Sequence, residues 1–167
     1  MRAALAALVA ATAVGWAAWL AAVPAFAAAQ PSPPGAWAAA VTYRAGAVIC
    51  HQQDARSLHV GRVRMPVCAR CFGLYAGAGA GALVAAAWVL AARRPIRLPV
   101  TRWRRAAVAC ALPTLAAWAG EHLGGLVVSG AARAMLAVPL GAAAAAIVTM
   151  WAGGAAFEDT APSSRLH

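Results

Sequence analysis

The chain has 167 residues, about one ordinary domain, and 63% of them are hydrophobic while only 11% are charged. This balance excludes a typical soluble protein and suits a lipid bilayer. The formal charge of +10 would invite a nucleic-acid interpretation, but all fourteen basic residues are arginines that lie between long apolar runs. We therefore expect the bilayer as the partner of this chain, and no nucleic acid.

The first apolar run extends from Ala3 to Ala29 without a charged residue. A secretory signal needs an apolar core of about 7–15 residues and a small-x-small cleavage site, which Ala25-Phe26-Ala27 would supply. The run is long enough to cross a membrane at about 20 residues per span, which favours a retained helix. Residues 1–29 are thus interpreted as an N-terminal transmembrane helix or signal anchor.

Residues 30–66 differ in composition, because Pro31, Pro33 and Pro34 disfavour a continuous helix and several arginines bring charge. They are predicted to form an extracytoplasmic loop. Within it, four apolar residues recur at helical spacing and could place a short helix along the membrane interface: Trp37, Ala40, Val41 and Val48. The alternative is a simple tether.

Residues 67–157 are predicted to be a three-helix membrane core. Its spans are Val67 to Ala92, Ala106 to Val128 with Glu121-His122 inside it, and Ala134 to Phe157. Gly73, Gly77 and Gly81 repeat every four residues, which predicts a face that another helix can approach closely. The predicted fold class is an all-α integral membrane protein with about four transmembrane helices.

The orientation follows from the arginines between residues 93 and 105, where six lie next to the predicted spans. By the positive-inside rule this loop is cytoplasmic. Four spans then place both termini inside, including a cytoplasmic tail at 158–167. The predicted location is the inner or plasma membrane, with multiple crossings.

A cluster of residues able to carry chemistry is predicted on the extracytoplasmic side. Its members are Cys50, His51, His59, Cys68, Arg70, Cys71, Glu121 and His122. Glu121 belongs to it because sixteen helical steps from Arg105 cover roughly 24 Å, which reaches the outer leaflet. A charge within a span is costly, so Glu121 is either functional or paired with Arg70 or Arg133. Cys110 alone lies deep on the inner side.

A wider pattern contains these motifs, running from Cys50-His51-Gln52 and Arg56-Ser57 through Pro66-Val67-Cys68-Ala69-Arg70-Cys71 to Gly73, Tyr75 and Gly77. It resembles the domain of unknown function 2085 family of small bacterial membrane proteins over residues 45–141. Glu121 stands where the family pattern leads us to expect an aspartate. The resemblance implies a membrane location and a shared Cys/His/Arg site, without an established activity.

Three functions remain open. The leading hypothesis is a metal-binding protein, extending to a metal-dependent membrane enzyme, with zinc as the metal. Its ligands would come from Cys50, His51, His59, Cys68, Cys71 and His122, with Glu121 and Arg70 as catalytic residues. No organic cofactor site is assigned. The sequence contains no phosphate-binding glycine loop and no Ser-His-Asp order typical of a hydrolase triad.

The second hypothesis is a quinone- or thiol-linked disulfide oxidoreductase. Cys68 and Cys71 would form the redox pair near a helix N-terminus, and Cys50 would exchange with a partner. The third is an assembly factor without turnover, in which a disulfide fastens the loop to the second span. Arg56 and Ser57 could position a substrate anion or cap a helix under any of these hypotheses, and capping is the commoner role.

Overall fold

In the computed structural model, which describes residues 1–29, 32–92 and 96–158, the chain is mostly helical. The described residues form five helices: α1 (Arg2–Ala28), α2 (Pro33–Ile49), α3 (Ala69–Ala91), α4 (Val100–Leu123) and α5 (Gly130–Ala152). They also form four short strands: β1 (Ser57–Val60), β2 (Val63–Cys68), β3 (Arg97–Pro99) and β4 (Ala156–Glu158). Among them, α1, α3 and α5 are long and apolar enough to cross a membrane.

The segment predicted as an extracytoplasmic loop is more ordered than expected. The helix suggested by its apolar spacing is present as α2, with Trp37, Val41 and Val48 exposed. An antiparallel hairpin of β1 and β2 follows, which the all-helical prediction lacked. The hairpin turns at Gly61, whose φ of +60° lies in the left-handed region that favours glycine. Pairing in this hairpin satisfies backbone groups that a loop would leave to solvent.

The predicted arginine loop is also partly structured. Its residues from Val100 onward belong to α4, and β3 pairs in parallel with β4 at the other end of the chain. Leu98 of β3 is buried beside Met150, which explains why this short segment packs against α5. Residues 93–95 of the predicted loop and residues 159–167 of the predicted tail lie outside the described residues.

The glycine repeat of α3 makes the close helix contact that the sequence predicted. A Cβ placed on Gly73, Gly77 or Gly81 would overlap the backbone of α5. The facing residues, in the same order, are Ala134, Val138 and Ala142. Small residues let helix backbones approach in this way, which is a principal source of helix association in lipid. Because the two numbering series rise together, α3 and α5 run parallel.

The first long helix, α1, runs the opposite way to α3. Ala6 and Ala10 of α1 pack against Ala82 and Ala86 of α3, whereas the Trp16 ring lies 6.2 Å from that of Tyr75. Residue numbers therefore rise along α1 in the direction in which they fall along α3, so the two helices are antiparallel. The bundle consequently has two distinct ends. We call the end where α3 and α5 begin the cysteine end, and the end where they finish the arginine end.

Candidate metal centre

Two cysteines are placed by the junction between β2 and α3. Cys68 is the last residue of β2 and the N-cap of α3, with an extended backbone at φ −67° and ψ 161°. Cys71 lies three residues later in the first turn of the helix. Side chains three residues apart in a helical turn share a face, so this junction brings both thiols to one side. The Cys-x-x-Cys spacing had predicted this arrangement.

The third cysteine arrives from the end of α2. Cys50 is the C-cap of that helix, and its backbone N–H donates to the Gly46 carbonyl at 2.9 Å. Its side chain is buried, and its Sγ accepts a hydrogen bond of 3.1 Å from the backbone N–H of Cys68. Cys50 is therefore held against the start of α3.

The three sulfur atoms converge. The Sγ atoms of Cys50, Cys68 and Cys71 all lie within 4.8 Å of one another, and all four cysteines of the chain are free. Tetrahedral zinc with Zn–S bonds of about 2.3 Å needs sulfurs roughly 3.8 Å apart, so a small contraction would bring this trio to zinc geometry. The cluster could bind a metal ion. Cys110 lies on α4 and does not belong to this trio.

The charge state of Cys68 also suits a ligand. The Cys71 side chain donates to its sulfur and lowers the pKa of Cys68 to about 5; burial opposes this effect, and the Cys50 side chain and nearby backbone N–H groups add to it. At neutral pH Cys68 is accordingly a thiolate, because the pH lies above that pKa. Thiolates are the form in which cysteine binds metal.

Gln52 links the two segments that carry Cys50 and Cys68, a role that was not predicted from the sequence. Its Nε2 donates to the carbonyls of Tyr43 at 2.8 Å and Pro66 at 2.6 Å, which joins α2 to β2. Arg64 in turn donates to the backbone oxygen of Gln52. Gly46 is required beside this amide, because a Cβ there would overlap the Pro66 carbonyl. The only signal in the sequence was the Cys50-His51-Gln52 motif.

Replacing Gln52 by leucine should lower the melting temperature in detergent by roughly 4–8 °C. The change removes the two hydrogen bonds that this amide donates, which costs roughly 2 kcal/mol in total. Gln53→Leu is the matched control, because Gln53 is an exposed neighbour in the same turn. Equal melting temperatures of the two variants would show that the Gln52 amide does not fasten α2 to β2.

A pocket of about 440 Å³ opens beside the thiols, and we call it the cysteine pocket. Cys50, Cys68 and Cys71 all line it, and so do two of the predicted histidines, His51 and His122. The third predicted histidine is elsewhere. His59 lies on β1, where its Nε2 is 3.1 Å from Asp54 Oδ1, and it does not line this pocket.

The ring of His122 has a fixed environment at the end of α4. Its Nδ1 lies 2.8 Å from the Trp118 carbonyl, and its ring stacks on that of Trp118 with centroids 4.8 Å apart. A carbonyl can only accept, so Nδ1 is the protonated nitrogen in this contact. In this tautomer of the neutral ring, the lone pair is on Nε2. Metal-binding histidines commonly have this arrangement.

Glu121, predicted as a catalytic residue, is engaged by two arginines. Arg70 donates from Nη2 to Oε2 at 3.0 Å, and Arg133 donates from Nε to Oε1 at 2.7 Å. The Glu121 side chain is only 5% exposed and those of Arg70 and Arg133 are 22% and 9% exposed. The sequence had left pairing with Arg70 or with Arg133 open; the structure shows both. This ion triad joins α3, α4 and α5 at the cysteine end.

The architecture and the thiol cluster together define a membrane protein with several candidate spans and a site at one end of its helices. The family model described as "Predicted membrane protein (DUF2085)" matches residues 50–148, more than half of the chain. The chain belongs to that family. The match begins at Cys50 and includes all three clustered cysteines together with the ion triad. No curated protein and no solved structure matched the chain.

Proposed function

We propose that this protein binds zinc at the membrane surface through Cys50, Cys68 and Cys71. The observation that carries the proposal is the convergence of three sulfurs from α2, β2 and α3 within 4.8 Å. Thiolate ligands favour soft or borderline ions, and zinc is the commonest structural ion of such sets. The metal would fasten the extramembrane segment of α2 and the hairpin to the start of α3.

His122 is the fourth ligand in this proposal. The atoms that lie within 4.8 Å of one another are the three sulfurs, so the His122 ring would move toward them when zinc binds. It lines the cysteine pocket together with the three thiols, and its Nδ1 contact leaves Nε2 available. His59 is excluded from the set because it pairs with Asp54 outside the pocket. Arg70 and Arg133 donate to both carboxylate oxygens of Glu121. We therefore assign Glu121 to the ion triad that joins the helices, and not to the zinc ligands.

The test is zinc affinity, measured by chelator competition on protein purified in detergent. His122→Ala should weaken zinc binding at least about tenfold, because one of four ligands is lost. His59→Ala is the matched control and should bind zinc as the unaltered chain does. Equal affinities of the two variants would remove His122 from the ligand set. A purified chain that holds no zinc and carries a Cys68–Cys71 disulfide would favour thiol exchange instead.

We also propose that α4 crosses the membrane as a fourth span. Two observations support this: α3 and α5 are candidate spans, and they run parallel. The chain must cross back between them, and α4 is the helix that connects their ends. Its arginines lie in the first turns, and Glu121 at its other end is paired with two arginines, so the interior from 106 to 120 is uncharged.

The arginine end is cytoplasmic in this proposal, and the thiols face the extracytoplasmic side. Four described arginines lie at that end, Arg97 on β3 and Arg102, Arg104 and Arg105 in the first turns of α4. The Arg2 side chain packs there beside Gly154. At the cysteine end, by contrast, Arg70 and Arg133 are neutralised in part by Glu121. Topology follows the basic residues of short flanking segments, which favours this orientation.

Single cysteines introduced at exposed positions should report this topology. A membrane-impermeant maleimide added to intact cells should label Arg62→Cys, in the hairpin turn, above the background of the unaltered chain. Thr101→Cys, in the first turn of α4, should be labelled only after lysis. The opposite pattern would invert the orientation. Labelling of both positions in intact cells would remove α3 as a span, because α3 is the long helix that lies between them.

A further inference from the structure

The cysteine pocket is lined by three arginines, Arg56, Arg70 and Arg133, and by no carboxylate among the described residues. One carboxylate, Glu121, shares its charge between Arg70 and Arg133 from outside the lining. The pocket therefore carries net positive charge from its arginines. Arg56 is exposed and makes no ion pair within the described part of the chain.

Two of these arginines also have donors left over. Arg70 Nε and Arg133 Nη1 are buried and have no hydrogen-bond partner among the described residues. The Arg133 side chain is more than nine-tenths buried, so water cannot readily take the place of an acceptor. A buried donor without a partner is costly, and native proteins rarely keep one without a reason. A bound acceptor in the pocket would remove that cost.

From these observations we infer that the cysteine pocket binds a phosphate-type anion through Arg56, Arg70 and Arg133. Guanidinium groups offer several donors in a planar fork that matches the oxygens of phosphate. Arg70 and Arg133 would supply their buried donors that now have no partner, and the exposed Arg56 would cover the anion from the solvent side. This site goes beyond the proposed zinc centre, because it depends on the arginines and not on the thiols.

The apolar residues of the pocket lining indicate what the anion is attached to. They are Ile49, Leu74 and Trp118. A volume of about 440 Å³ falls within the usual range for small-molecule sites and exceeds what a bare phosphate fills. The ligand class is thus an organic phosphate with an apolar portion. Two sources share this chemistry: a soluble phosphate ester and the headgroup of an anionic phospholipid.

The test measures the binding of inorganic phosphate, as the probe, to the full chain purified in detergent. Calorimetry gives the affinity and the number of sites. Phosphate should bind saturably at one site, and Arg56→Gln should weaken it roughly tenfold through loss of a charge-assisted contact. Arg62→Gln is the matched control: it removes the same charge from an exposed arginine outside the pocket, and should change the affinity less than about twofold. Absent saturation, or equal weakening by both variants, would overturn the inference.

The two sources are distinguished in nanodiscs. If phosphatidylglycerol nanodiscs reduce phosphate binding and phosphatidylcholine nanodiscs do not, the site takes a lipid headgroup. Equal binding in both lipids assigns it to a soluble ester. Zinc content is measured on the same samples. Zinc without phosphate binding would overturn this inference alone, and phosphate binding without zinc would overturn only the proposed function.

Discussion

Cys71→Ser should weaken zinc binding by more than about 100-fold. Structural zinc contributes about 10–16 kcal/mol over four ligands, so one ligand accounts for roughly 3 kcal/mol. Serine is a much poorer zinc ligand than a thiolate, and the Cys71 sulfur is one of the three that converge. Chelator competition on purified protein measures the change.

Cys110→Ser is the control for this replacement. Cys110 is a free cysteine on α4 and does not belong to the trio, so its loss should leave zinc affinity unchanged. The alkylatable thiols of the unaltered chain are also counted after zinc removal. If Cys50, Cys68 and Cys71 are then all reactive, the three thiols were held by a metal and not by a disulfide. Zinc that binds the Cys71 variant as tightly as the unaltered chain would contradict the assignment of its sulfur as a ligand.

Glu121→Ala should lower the melting temperature in detergent by roughly 10 °C. The carboxylate receives donors from Arg70 and Arg133, and its removal leaves two largely buried guanidinium groups without their counter-charge. Breaking a buried ion pair from one side costs about 3–5 kcal/mol. In a chain of this size each kcal/mol shifts the melting temperature by about 2–4 °C.

The exposed ion pair between Glu158 and Arg97 provides the comparison. Glu158 accepts from Arg97 at 2.7 Å, but the two side chains are 50% and 73% exposed. Exposed pairs contribute about 0–1 kcal/mol, so Glu158→Ala should shift the melting temperature by no more than about 4 °C. If both glutamate variants melt alike, the triad does not hold α3, α4 and α5 together.

Much of the helical framework could be predicted because local signals and packing agree. The apolar runs predicted α1, α3 and α5, and the glycine repeat predicted the face on which α3 meets α5. The Cys-x-x-Cys spacing predicted two thiols at the start of a helix. Each of these features depends on residues close together in the chain, where helical periodicity alone fixes their relation.

Features that depend on distant partners were harder to predict. The Gln52 amide bridges Tyr43 and Pro66, whose backbone carbonyls carry no side-chain signal in the sequence. The pairing of β3 with β4 joins segments separated by α4 and α5, so no local pattern marks it. His59 was grouped with the ligands by its nearness in sequence, yet the hairpin directs it to Asp54.

The Glu121 triad was likewise predictable from the sequence only in part. Depth along the helix predicted that Glu121 would lie near the start of α3, and the cost of an unpaired charge predicted a partner. The sequence could not show that Arg70 and Arg133 both bind it, because that outcome depends on the parallel contact between α3 and α5. The same contact brings the two arginines to the cysteine pocket.

Zinc X-ray absorption on the purified, metal-loaded chain tests the central claim most directly, because it counts the atoms bound to the ion. Three sulfurs at about 2.3 Å and one nitrogen at about 2.0–2.1 Å are expected from Cys50, Cys68, Cys71 and His122. A first shell made only of oxygen and nitrogen would contradict the proposal that the three thiols form the metal centre.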